Sequence, residues 1–270
     1  MIPFADRLAA SVAARRSQVV LGLDPDPELA PGADGAEELC GRLIAAAGPS
    51  CVAAKLQVAC FERHGAEGWV VLDRVAAAAA EAGLIVIADA KRGDIDATSR
   101  AYAEALLHEP FDAITVNPML GGDAVAPFVE RAGDGGRGLF VLVRTSNPGA
   151  RDLQDLELAD GRLWHEALAE LVARWGAGLV GSSGLSSVGA VVGATVPGRL
   201  AALRALMPDQ PFLLPGVGAQ GGRPEDLGPA FGGRAAGALV AASRSIMTAP
   251  DPAVAAEELR ERVWAVWERA

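Results

Sequence analysis

Residues 84–95 read LIVIADAKRGDI, and this stretch decides the fold. Five aliphatic residues, Leu84 to Ala88, run without interruption into Asp89, Lys91, Arg92 and Asp94. So short and so uniformly apolar a run predicts a strand buried on both faces, as in a parallel sheet covered by helices. Helical periodicity before it, Trp69 to Ala82, and after it, Ser99 to Leu107, gives one strand between two helices. That strand empties into charge at its C-terminal edge.

Working outward, the same unit recurs. The other predicted strands are Val19 to Leu23, Cys51 to Leu56, Ala113 to Val116, Leu139 to Val143, Ala190 to Ala194, Phe212 to Leu214 and Ala238 to Ala241. Further helices are expected over Ala36 to Ala47, Ala124 to Arg131, Leu163 to Trp175, Pro197 to Leu206 and Pro252 to Arg269. Leu179 to Val180 is a rival for the sixth strand, but the helix start at Pro197 follows Ala190 to Ala194 better. The stretch Gly133 to Gly138 reads as a turn before a strand. Eight βα units in 270 residues match the roughly 250 of a (β/α)8 TIM barrel. A doubly wound sheet could also hold eight parallel strands. What favours the barrel is polarity at the strand ends: Asp24, Lys55 with Gln57, Asp89, Asn117, Arg144 to Ser146, Thr195, Gly216 to Gln220, then Ser243 and Arg244. In a barrel these ends converge on one face. The expected α/β architecture is a single barrel domain over residues 1–270.

Composition narrows the function. With 51% hydrophobic and 5% aromatic residues the core must be aliphatic. A formal net charge of -10 repels nucleic acid and acidic membranes, so neither is an expected partner. Charges interrupt every apolar run well short of a membrane span. The opening MIPFADRLAA has a helix-like pattern and lacks the basic and apolar regions of a signal peptide, so a cytoplasmic location is expected. Cys40, Cys51 and Cys60 show no metal-ligand or disulfide spacing and read as packing residues.

Of the 24 basic residues only Lys55 and Lys91 are lysines. An ammonium can deliver a proton where a guanidinium cannot, so both are candidates for proton transfer. In an extended chain Asp89 and Lys91 project to the same side. Acids on both sides of Lys91 favour its ammonium, a general acid and not a Schiff-base nucleophile. Pro215 to Gly222, PGVGAQGG, contains the spacing of a dinucleotide fingerprint. No acid ends the next strand, which runs into Ser243 and Arg244, so an NAD site is not expected. Glycine N–H groups after the seventh strand, with Arg244 after the eighth, fit a barrel phosphate site, to which Gln220 can add an amide donor. His64, His108 and His165 are scattered and read as helix or surface residues. Asp24, Asp89 and Asp94 are the one set that could hold Mg²⁺.

ADAKRGDIDAT, residues 88–98, resembles the Asp-x-Lys-x-x-Asp signature of the orotidine 5′-phosphate decarboxylase family. PGVGAQGG and ASRSI resemble its phosphate-binding loops. VNPMLGGDAV, VRTSNPGA and VVGAT are similar to the longer bacterial (type 2) branch, and the likeness extends from FADRL to SRSI. The resemblance implies a homodimeric barrel that converts orotidine 5′-phosphate to UMP and CO₂, in pyrimidine biosynthesis, without a cofactor or metal. It also implies a charged array of Lys55, Asp89, Lys91 and Asp94, with Lys91 as proton donor. Asp94, Ile95 and Thr98 would reach the partner subunit's site. Asp24 would bind ribose, Ser146 the pyrimidine, and Gln220 and Arg244 the phosphate. Ser243 stands where shorter relatives carry Gly. Two other functions are compatible with parts of the pattern: a Mg²⁺-dependent sugar-phosphate decarboxylase of the same superfamily, and a noncatalytic nucleotide-phosphate binder.

Overall fold

Side chains of a strand alternate between two faces, and here the alternation separates an inner from an outer core. The computed structural model describes residues 1–218 and 220–270; Ala219 of the glycine-rich loop lies outside the described residues. Its strands are β1 Val19–Leu23, β2 Ala53–Gln57, β3 Ile85–Arg92, β4 Ala113–Val116, β5 Gly138–Arg144, β6 Val188–Val192, β7 Phe212–Pro215 and β8 Ala238–Ala242. They pair in parallel in chain order, and β8 returns to β1 to close the (β/α)8 barrel. Helix α1 Phe4–Arg15 precedes the barrel. Between strands lie α2 Gly32–Ala47, α3 Val58–Glu62, α4 Gly65–Glu81, α5 Asp96–Leu106, α6 Gly122–Gly135, α7 Trp164–Gly176 and α8 Pro197–Leu206; α9 Arg244–Met247 and α10 Pro252–Glu268 follow β8.

On β3, Val86 and Ala88 pack outward against the helix layer, while Ile85 and Ile87 join the inner cluster. The inner positions then turn polar toward the C-terminal end: Ala53 is followed by Lys55, Ile87 by Asp89, and Ala113 by Thr115. The opposite end is closed by α1, whose Phe4, Leu8 and Val12 join Val20, Ile85, Phe140 and Leu239. Phe4 meets Phe140 edge to face at 6.1 Å. Gly138 makes the approach possible, since a Cβ there would lie 2.3 Å from the Phe4 ring.

Several element bounds differ from the sequence reading. β3 continues through Asp89 to Arg92, so the charged cluster is on the strand and not in a loop beyond it. β6 starts at Val188, two residues earlier than expected, with Gly189 a barrel residue against the Phe140 ring. The rival segment stays out of the barrel: Leu179 ends a short 3₁₀ turn, and Val180 forms only an isolated bridge with Ser186. In addition, α6 runs through Gly133 to Gly135, leaving Gly136 as its left-handed cap. No helix among the described residues is long and apolar enough to cross a membrane.

Candidate active site

Asp89 is the hub of the polar upper layer. Lys55 donates to its Oδ2 at 2.8 Å and Lys91 to its Oδ1 at 2.6 Å. Thr115 adds a hydroxyl to Oδ1 at 2.8 Å and Gln57 an amide N–H to Oδ2 at 3.3 Å. Burial alone would push the Asp89 carboxyl up, but the Lys55 and Lys91 ammonium groups hold it well below the usual carboxylate range. Burial likewise works against charge on Lys55, yet Asp89 and Asp24 hold it above the ordinary lysine range. Asp24 Oδ1 lies 3.5 Å from Lys55 Nζ. The Asp89 carboxylate and the Lys55 ammonium are therefore both maintained at neutral pH, and of the two lysines on Asp89, Lys91 is the more accessible, at 44% side-chain exposure against 8% for Lys55.

These groups open into a cavity of about 600 Å³ at the C-terminal mouth of the barrel. Asp24, Lys55, Asp89, Lys91, Ser146, Gln220, Ser243 and Arg244 all line it. Asp94, Ile95 and Thr98 do not line it. Asp94 instead accepts the Ile95 N–H at 2.8 Å, and Ile95 is exposed. With Asp94 elsewhere, the three candidate Mg²⁺ carboxylates do not meet, and among the described residues no group of three or more His, Cys, Asp or Glu is placed to hold a metal ion.

At the β7 and β8 side, Gly216, Gly218 and Gly221 all have positive φ, between 74° and 97°, which glycine adopts without strain. The loop folds onto itself: the N–H groups of Gly218, Gly221 and Gly222 bond to loop carbonyls at 2.9–3.0 Å. The expectation that loop glycines offer their N–H groups to an anion is thus corrected at these three positions. Arg244 is exposed and forms no ion pair among the described residues, and Ser243 Oγ is buried without a hydrogen-bond partner among them. Across the mouth, Arg144 is fully engaged in structure. It clasps Asp155 at 2.8 and 2.9 Å, and Asp155 lies 3.2 Å from the buried His165. The Gln154 amide oxygen accepts the Thr145 N–H at 2.8 Å. This pins the segment carrying Ser146. Thr195 donates to the Ser146 carbonyl at 3.3 Å, and Asn117 accepts the Met119 N–H.

Thr115 and Arg63 escaped the sequence reading. Thr115 was findable: in AITV the alternation that buries Ile114 outward turns Thr115 to the interior. Arg63, on the cavity rim beside Cys60, follows a helix of only five residues that carries no periodic signal. Cys60 itself lines the cavity and is half-buried, whereas Cys40 and Cys51 are packing residues whose thiols burial pushes up to about 12.

A model of the orotidine 5′-phosphate decarboxylase / HUMPS family matches residues 17–259. The chain belongs to this family. It is 44% identical to an orotidine 5′-phosphate decarboxylase of Deinococcus radiodurans over 91% of the chain and 89% of the relative. A counterpart from Rhodopirellula baltica is 41% identical, over 92% and 89%. The structure of Leishmania donovani OMP decarboxylase superposes with a TM-score of 0.84 at 38% identity, covering 99% of this chain and all of that one. In this chain Lys55, Asp89 and Lys91 line the same cavity as Gly216, Val217 and Gln220 of the glycine loop.

Proposed function

We propose that the chain converts orotidine 5′-phosphate to UMP and CO₂ without a cofactor. The observation that carries this reading is the buried Asp89 carboxylate held between Lys55 and Lys91, across one cavity from Arg244 and the glycine loop. A nucleotide spanning the cavity sets its phosphate against Gln220, Ser243 and Arg244, its ribose against Asp24, and its pyrimidine beside Ser146, with C6 at Lys91. Its phosphate and carboxylate charge suits a mouth whose cations include the exposed Arg244.

In the reaction the bond between C6 and the carboxylate breaks and its electron pair stays on C6. That pair lies in an sp² orbital the ring π-system cannot delocalise, so its stabilisation must be electrostatic. The Lys91 ammonium supplies it, then transfers its proton to C6; CO₂ leaves, and Lys91 regains a proton from solvent. Asp89 faces the substrate carboxylate and repels it. Two like charges about 4 Å apart at an effective dielectric near 20 interact by about 4 kcal/mol, roughly a thousandfold in rate. Repulsion is therefore a secondary contribution. The larger one is preorganised charge aimed at the carbanion, with phosphate binding energy holding the ground state in place.

The test is an absorbance assay with orotidine 5′-phosphate in EDTA. Expected are full turnover with chelator present, and near-complete loss of turnover in Lys91→Ala with UMP still bound. Activity that disappears in EDTA and returns with Mg²⁺ points to a sugar-phosphate enzyme mechanism, and UMP binding without turnover points to a noncatalytic binder.

A further inference from the structure

Lys91 presents its ammonium from a conformation that L side chains rarely adopt, with φ of 48°. The backbone around it leaves regular register: the β3–β4 pairing shifts between Ala88 and Arg92. On the cavity side the Lys91 N–H donates to Thr115 Oγ1 at 2.9 Å, and on the far side the Arg92 carbonyl accepts the Asn117 N–H at 2.7 Å. The Arg92 side chain turns away from the cavity. Its Nη2 donates to Glu62 of α3, its Nη1 to the Ala90 carbonyl at 3.3 Å, and its guanidinium lies 5.4 Å from the Tyr102 ring centre on α5. Arg92 and Glu62 are only 20% and 31% exposed. Neither lines the cavity, so neither touches a ligand there, yet Arg92 is the residue next to the reacting lysine.

We propose that Glu62 and Arg92 are positioning residues. Their ion pair, braced by Tyr102 and the Ala90 carbonyl, fixes the backbone that holds Lys91 left-handed and so aims its ammonium at Asp89 and the reacting carbon. α3 thereby gains a purpose: it bridges the strand end that carries Lys55 to the one that carries Lys91. The backbone of Lys91 is held at its own N–H by Thr115 and, through the next residue, by the anchored Arg92. Loss of the clamp lets residue 91 return toward extended backbone and swings the ammonium off its target. The inference rests on the reading of Lys91 as proton donor.

Wild type and Lys91→Ala are assayed first with orotidine 5′-phosphate; an inactive wild type overturns both that reading and this one. Given an active wild type, Glu62→Gln should lower kcat about ten- to a hundredfold, because small misplacement of a reacting group is costly. KM and the Kd for UMP should stay within about twofold, the signature of a loss confined to the transition state. Arg92→Gln should match it, the double variant should be no worse than either single one, and Arg92→Lys, which keeps a cation opposite Glu62, should recover part of kcat. Should Arg92→Gln not fold, the isosteric and partly exposed Glu62→Gln decides alone. Wild-type kcat in Glu62→Gln overturns the proposal. So does a parallel fall in kcat, UMP affinity and Tm, which marks a general structural role.

Discussion

Asp89 shows how a single residue can set both the charge state of a site and the stability of its barrel. Its carboxyl is held low, so its pairing stabilises the fold above the unfolded value near about 3.9 and is lost only as pH falls through the lower folded value. Lys55 is held high, so its contribution is complete below about 10.4 and is lost only as pH rises through its folded value. Between these limits the Asp89–Lys55 pair contributes a constant amount. Asp89→Asn leaves Lys55 buried with only Asp24, at 3.5 Å, for compensation. Breaking a buried pair in this way costs about 3 kcal/mol, read as a fall in the urea midpoint at pH 7. The deficit should shrink toward about pH 10, because an undercompensated buried ammonium folds more readily once neutral. A variant as stable as wild type at pH 7 contradicts the hub role.

Elements were legible where burial on both faces wrote them as uninterrupted aliphatic runs. Most strands carry such a run, although Lys55 interrupts β2 and Thr115 lies within β4, and polar strand ends such as Asp24, Lys55, Asp89 and Arg244 line the cavity. Legibility failed where one sequence pattern serves two placements. FADRLAASVAAR is amphipathic whether it lies on the outside of a barrel or across its floor, and only the meeting of Phe4 with Phe140 over Gly138 assigns it to the floor. The five residues of α3 are too few for a period. Charge hid the end of β3: the apolar run stops at Ala88, whereas the strand continues to Arg92 through a register shift and a left-handed Lys91. Arg144 counts among the polar strand ends, and nothing local announces that Asp155, eleven residues on, occupies it. Since α1 plugs the end of the barrel opposite the cavity, Phe4→Ala separates stability from function. It should destabilise by about 3–5 kcal/mol through the cavity it leaves, measured by thermal unfolding, while KM for the nucleotide is unchanged. A raised KM with no loss of stability argues against the floor assignment.

At the scale of the whole molecule, the residues outside the cavity carry the remaining question. Asp94, Ile95 and Thr98, on the rim beyond β3, do not line their own cavity, and Ile95 is exposed, as are Met119 and Leu120 of the loop after β4. That rim is close-knit: a Cβ at Gly93 would stand 2.5 Å from the Asn117 carbonyl, and Ser99 donates to the Ala124 carbonyl at 2.9 Å. Such a rigid, partly apolar edge beside a carboxylate suits a twofold dimer in which each subunit lends Asp94 to its partner's array. The proposal has a stoichiometric consequence. Mixing inactive Lys91→Ala with inactive Asp94→Ala, followed by subunit exchange, yields heterodimers with both lesions in one site and none in the other. Random pairing makes about half the dimers heterodimers, each with one intact site of two, so activity should return to roughly a quarter of wild type. Mass analysis verifies the exchange. If heterodimers form and activity does not return, Asp94 acts within its own chain or not at all, and the shared-site reading is wrong.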